Sequence, residues 1–169
     1  VETRPIASWL QDLYRVAREK GKLTKAHAGE FGDAHYVRDA MEFLKVDRIE
    51  HGIRAVGDAE VLTFVRDQDL TLDVCPISNV KLRACSSMAD HPIRQLFDAG
   101  VRCTISTDDP LIFGNRLTEE YVALAQALNF SRKELVQIAR NGWEVALIPD
   151  SSRRERLEEL ATLEAELGS

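Results

Sequence analysis

The chain has little cysteine, and the little it has forms no pattern. Cys75, Cys85 and Cys103 are an odd, sparse set without a Cys-x-x-Cys pair. That excludes a disulfide framework and a cysteine-rich zinc site, and reads as packed, reduced thiols of a cytosolic (cytoplasmic) protein. A basic stripe is also lacking. The densest basic cluster, Arg153, Arg154 and Arg156, is offset by Glu155, Glu158 and Glu159, and the net charge is −6. Nucleic acid is therefore not expected as an obligate partner. No stretch approaches the ~18 apolar residues of a membrane span, so no membrane partner is expected. There is no linker, low-complexity tract or internal repeat. The first residues, Val1 to Pro5, are neither a start methionine nor a signal peptide.

What remains is an ordinary globular composition. Hydrophobic residues at 44% and charged residues at 30% over 169 positions fit one domain. Strand-like runs alternate with helical patterns. Residues 6–20 have helical periodicity, with Leu10, Leu13, Tyr14 and Ala17 on one face. Pro5 suits its first turn and Gly21 ends it. Strands are expected at 23–27, 47–51, 70–76 and 101–107. Helices are expected at 34–44 with Asp33 as cap, 58–68 with Asp58 as cap, 91–99 stopped by Gly100, 118–128, 132–147 and 152–167. Ser131 and Ser151 read as caps, Ser131 with Glu134 as a capping box. Residues 77–88 read as a loop. The alternation predicts a parallel sheet. Four strands suit either a small open α/β domain or half of an eight-strand barrel, which needs about 250 residues. Val1 as first residue favours the second expectation.

Four motifs sit at the C-terminal ends of those strands, where a (β/α) barrel builds its active site. They are His27-Ala28-Gly29-Glu30, Glu50-His51-Gly52, Cys75-Pro76-Ile77-Ser78-Asn79 and Ser106-Thr107-Asp108-Asp109-Pro110. His27 offers an imidazole ligand, and Glu30, three residues on, a carboxyl for proton transfer. Gly29 permits close approach of a ligand. His51 is a base, a ligand or an orienting donor; Glu50 is expected to point away, because strand neighbours alternate faces. Asp108 and Asp109 are costly to bury without a cation or donor, so one suits a metal and the other a substrate hydrogen bond. Ser78 and Asn79 can brace such ligands. His35 and His91, in helix first turns, read as structural. Taken singly, each of these residues reads as readily as packing or capping; the set together suits metal-assisted hydrolysis.

In this order and spacing the four motifs, covering residues 23–147, resemble the adenosine/adenine deaminase family of the amidohydrolase superfamily. The resemblance implies a parallel (β/α) barrel of TIM type. Residues 1–169 would supply its C-terminal half: the last four β/α units and the closing helices. It implies one Zn2+ per site, with His27 and Asp108 as ligands. Glu30 would protonate the purine ring nitrogen beside the reacting carbon. His51 would orient and deprotonate the attacking water, and Asp108 would contact it too. Asp109 would hydrogen-bond the five-membered-ring nitrogen, and Gly29 would lie beside the purine. The implied reaction is hydrolytic deamination of a 6-aminopurine, foremost adenosine to inosine plus ammonia. Adenine and aminodeoxyfutalosine are the alternatives. Cys-Pro-x-Ser-Asn followed by Val80-Lys81-Leu82 resembles the adenine-type branch, whereas Thr107-Asp108-Asp109 and the His91-Pro92 helix resemble nucleoside-type members.

The match departs from the family at one place. The early His-x-His that supplies two more zinc ligands is absent, and the first histidine is already His27. The expectation is a fragment or one piece of a split protein. Its N-terminal half-barrel, roughly 150 residues, would have to come from the same or another chain for activity. A truncated, non-catalytic homologue that binds purine or a partner is the reading from a different class. An unrelated small α/β binding domain is a third.

Overall fold

The structure, a computed structural model, describes residues 6–168. Its elements in chain order are α1 (Ser8–Glu19), β1 (Lys25–Ala28), α2 (Ala34–Asp39) running into a π turn (Ala40–Leu44), β2 (Arg48–His51), a 3-10 turn (Ile53–Gly57), α3 (Ala59–Asp67), β3 (Thr71–Val74), α4 (Pro76–Lys81), α5 (Ile93–Asp98), β4 (Cys103–Ile105), α6 (Pro110–Phe113), α7 (Leu117–Leu128), α8 (Arg132–Val145) and α9 (Asp150–Gly168). The predicted strand–helix alternation is realised. Pro5, read as the first turn of α1, lies outside the described residues. The residues group into two compact units: the chain through Val74 with Pro92–Arg102, and Cys75–His91 with the chain from Cys103 onward.

In the first unit β1, β2 and β3 pair in parallel, with Ala26 opposite Ile49 and Ile49 opposite Leu72. Ile49 and Leu72 are fully buried. The other face carries charge. Lys25 aligns with Arg48, and His27 aligns with Glu50, which aligns with Asp73. Lys25 Nζ meets Glu50 and lies 2.7 Å from Asp73, and Arg48 also meets Asp73. Asp73 is 2% exposed. A carboxylate so buried costs several kcal/mol (about that per ion) unless cations compensate it, and here two do. Burial pulls the Lys25 ammonium down, but its bonds to Asp73 and Glu50 outweigh this and raise its pKa. Glu50 therefore shares the face of His27, contrary to the alternation argument.

Local chemistry sets the helix ends. Asp33 accepts from the His35 amide at 3.0 Å, and Asp58 from the amides of Glu60 and Val61 at 2.8 and 3.1 Å. Both caps fall where the sequence put them. The apolar face of α1 stays largely uncovered by described residues: none of its residues is buried and Leu13 is 56% exposed. The Tyr14 hydroxyl, donating to the Lys25 carbonyl at 2.6 Å, fastens it.

The second unit is built on α7 and α8, with Leu124, Val136 and Ile138 in its core. The Asn141 amide donates to the Cys103 carbonyl at 2.9 Å, tying α8 to β4. The Ser131–Glu134 capping box is present in both directions. Ser151 is no cap: α9 starts at Asp150 and encloses it. The expected loop at 77–88 is interrupted by α4, because Pro76 presets the first turn of a helix. Cys75, Cys85 and Cys103 are all free thiols.

Two glycines at strand ends are required by geometry. Gly29 has φ +68, and a Cβ there would collide with Val37 Cγ2. Gly52 has φ +67, and a Cβ would sit 2.7 Å from Leu72 Cδ2. Gly52→Ala combines a left-handed penalty of about 1–2 kcal/mol with overpacking of about 1–3 kcal/mol. The expected loss is thus roughly 2–5 kcal/mol, read as a lower urea midpoint at unchanged slope; an unshifted midpoint would mean that Leu72 moves aside at no cost.

Candidate active site

The C-terminal end of β1 carries His27, and the turn after it carries Gly29 and Glu30. His27 is exposed at the strand's C-terminal end, and Glu30 is 6% exposed. The turn after β2 is stitched to it. The Gly52 amide donates to the Ala28 carbonyl at 3.0 Å, the Arg54 amide to the Gly29 carbonyl at 2.9 Å, and Arg54 Nε to the Glu30 carbonyl at 3.3 Å. These bonds fix where His51 stands. His51 has φ +66, a left-handed conformation that a branched-ring side chain adopts at a cost. By strict alternation its ring would face away from His27. The twisted backbone instead leaves the two ring centroids 5.2 Å apart, tilted by 44°. His51 is 1% exposed, and its Nε2 lies 3.5 Å from Glu30 Oε2. Four of the predicted site residues, His27, Gly29, Glu30 and His51, are thus brought together within one unit. Gly29 has a packing reason of its own, its contact with Val37.

The remaining predicted residues lie in the second unit. Asp108 has φ +58, the conformation that Asp tolerates better than most. Asp109 is extended and caps α6, accepting from the Ile112 amide at 3.4 Å, with Pro110 at the first position. Both acids are exposed. The burial cost that pointed to them in the sequence therefore does not arise among the described residues. In the turn at 75–79, the Ser78 hydroxyl donates to the Cys75 carbonyl at 3.1 Å, and Asn79 Oδ1 lies 3.2 Å from His91 Nε2. His91 is 2% exposed, a packed histidine as expected; His35 is exposed.

One buried acid escaped the sequence reading. Glu120 of α7 is fully buried. One carboxylate oxygen accepts from the Ile77 amide at 3.0 Å and the other from the Asn115 side chain at 2.6 Å. Burial pushes its carboxyl up to about 7, against the pull of those two donors. The signal was present in the sequence: Glu120, Leu124 and Leu128 recur every four residues, so the acid stands on the apolar stripe of its helix.

Chemically, a buried carboxyl against a buried imidazole suits proton transfer, and an exposed imidazole beside them suits metal ligation. Parallel strands followed by helices, with such groups at their C-terminal ends, place the chain in the α/β class in which (β/α) barrels build their active sites. The comparisons narrow this. The family model described as adenosine deaminase matches residues 2–163. An adenine deaminase from Sphingopyxis alaskensis is 42% identical over 145 residues, 86% of this chain and 42% of that protein. A crystal structure of adenine deaminase from Arthrobacter aurescens superposes with a TM-score of 0.87 at 35% identity, covering 92% of this chain and 48% of that one. An amidohydrolase from Burkholderia ambifaria with bound zinc gives 0.82 at 28% identity, covering 94% and 44%. The chain belongs to the adenosine deaminase family, in the amidohydrolase superfamily, and its four parallel strands with their helices match about half of the barrel of these relatives. It spans less than half the length of these relatives. Among the described residues no helix is long and apolar enough to cross a membrane.

Proposed function

We propose that this chain is the C-terminal half-barrel of a zinc-dependent hydrolase that deaminates a 6-aminopurine, with adenine as the substrate. The observation that carries the reading is the grouping of His27, Glu30 and His51 on two stitched strand-end turns. The names of the relatives favour adenine over adenosine. The other half of the barrel would come from the same or another chain.

The donor chemistry fits the metal. An exposed imidazole at His27 and an exposed carboxylate at Asp108 are ordinary zinc ligands. Zinc held by such ligands would lower the pKa of water toward about 7. The protein's own groups do the rest. His51, held by its left-handed backbone, orients the attacking water and takes its proton. Glu30, buried, delivers a proton to the ring nitrogen beside the reacting carbon, which makes that carbon a better electrophile. Asp109 hydrogen-bonds the five-membered ring, and Gly29 lies alongside the purine. The proton taken by His51 passes to the amino group, which leaves as ammonia, while the hydroxyl left on that carbon gives its proton back to Glu30 and becomes the carbonyl of the product.

The test is zinc content and ammonia release of the complete protein, with adenine and with adenosine. Bound zinc and faster release from adenine are expected. Faster release from adenosine moves the substrate to the nucleoside; a folded complete protein with neither zinc nor turnover overturns the enzymatic reading in favour of a non-catalytic one.

A further inference from the structure

Glu120 does more than fill a core. Its carboxylate joins two of the strand-end motifs, both within the second unit. On one side it accepts the Ile77 amide, in the turn at 75–79. On the other it accepts the Asn115 side-chain amide, and the same Asn115 nitrogen reaches the Thr107 carbonyl at 3.4 Å. Thr107 precedes Asp108. Asn115 is 5% exposed, and Lys81 at the end of α4 donates to the Phe113 carbonyl of α6, a second tie between the same segments.

We infer that Glu120 is a positioning residue, an acceptor-only brace that sets the carbonyl of Thr107, and with it Asp108, relative to the 75–79 turn. The inference rests on the proposed reading of Asp108 as a metal ligand. The donor count makes the carboxylate specific. Two N–H groups converge on two oxygens, which the carboxylate serves in its ionised form and a carboxamide does not, so the variants are compared above the raised pKa of Glu120. A carboxamide at this position has one acceptor. If its oxygen keeps the Ile77 amide, its NH2 faces the Asn115 NH2. Asn115 must then turn over to present its oxygen, which withdraws its N–H from Thr107. If the carboxamide oxygen keeps Asn115 instead, its NH2 faces the Ile77 amide. Either way one tie is lost, while the size of the side chain is kept.

The experiment compares the complete protein with E120Q and with E120Q/N115D. In the double variant the carboxylate introduced at position 115 accepts from the carboxamide NH2 introduced at position 120, whose oxygen accepts from Ile77. The pairing between the two positions is restored, but Thr107 has no donor. Amide hydrogen exchange on the metal-free proteins reads the two segments directly. Faster exchange is expected in E120Q at one or both of 75–79 and 106–110; in the double variant 75–79 recovers and 106–110 does not. Zinc affinity and kcat/KM should fall about 10–100-fold in E120Q and stay low in the double variant even where its melting temperature recovers. Recovery of zinc affinity together with melting temperature would reduce Glu120 to a packing role. Unchanged exchange in both segments of E120Q overturns the brace whether or not the parent is active. A parent without zinc or turnover counts against the functional proposal, and the brace is then decided by exchange alone.

Discussion

Glu30→Gln in the complete protein lowers ammonia release by about 10²–10⁴-fold, the range of general acid–base catalysis, and leaves zinc content at the parent level. The substitution is close to isosteric, so it tests the proton and little else. Glu30 is 6% exposed at the end of a turn whose neighbours are fixed by bonds from Gly52 and Arg54. A Gln fits the same volume and still hydrogen-bonds the ring nitrogen, but has no proton to deliver to it. The His51 imidazole, whose Nε2 lies 3.5 Å from Glu30 Oε2, keeps its own geometry. Binding is therefore expected to survive, and the loss should fall on kcat rather than KM. Turnover at the parent rate would hand proton delivery to another group. Loss of zinc along with turnover would instead make Glu30 part of the metal's surroundings.

Much of this arrangement was legible in the sequence, and what was not has definite physical causes. The strands could be found because apolar runs end in Gly, Pro and Asp punctuation. The caps Asp33, Asp58 and Ser131 could be found because their side chains act on amides only two or three residues away. Glu50 was misassigned because strand alternation was carried through His51, whose left-handed backbone breaks it. Ser151 is no cap because α9 starts at Asp150, two positions before the expected 152, a boundary that sequence pattern fixes poorly. Asp108 and Asp109 were noticed for a burial cost they do not bear among the described residues. Glu120 was legible in principle, since an acid on an apolar stripe demands partners. Its partners, Ile77 and Asn115, are joined to it by the fold, and Ile77 lies 43 positions away.

The adjacent acids are expected to separate cleanly on substitution, because the backbone sends them in different directions. Asp108 is left-handed at φ +58, whereas Asp109 is extended at φ −105 and already serves α6 as its cap. Ala at 108 would confound two effects, since a left-handed Ala costs about 1–2 kcal/mol. Asn tolerates that conformation, so Asp108→Asn is the cleaner change: shape and backbone stay, and the anionic ligand goes. Zinc affinity in the complete protein should fall by at least about 100-fold, beyond the 10–100-fold that outer partners of a metal command, and turnover should fall with it. Asp109→Asn preserves the cap, because Asn caps a helix as well as Asp does. It should leave zinc in place and raise KM, as expected of a group that contacts only the purine. Asp109→Ala should add a stability loss of about 1 kcal/mol from the missing cap, visible as a lower melting temperature without metal loss. If Asp108→Asn kept full zinc while Asp109→Asn lost it, the two roles would be exchanged, and α6 would have to lose its cap to let Asp109 reach the metal.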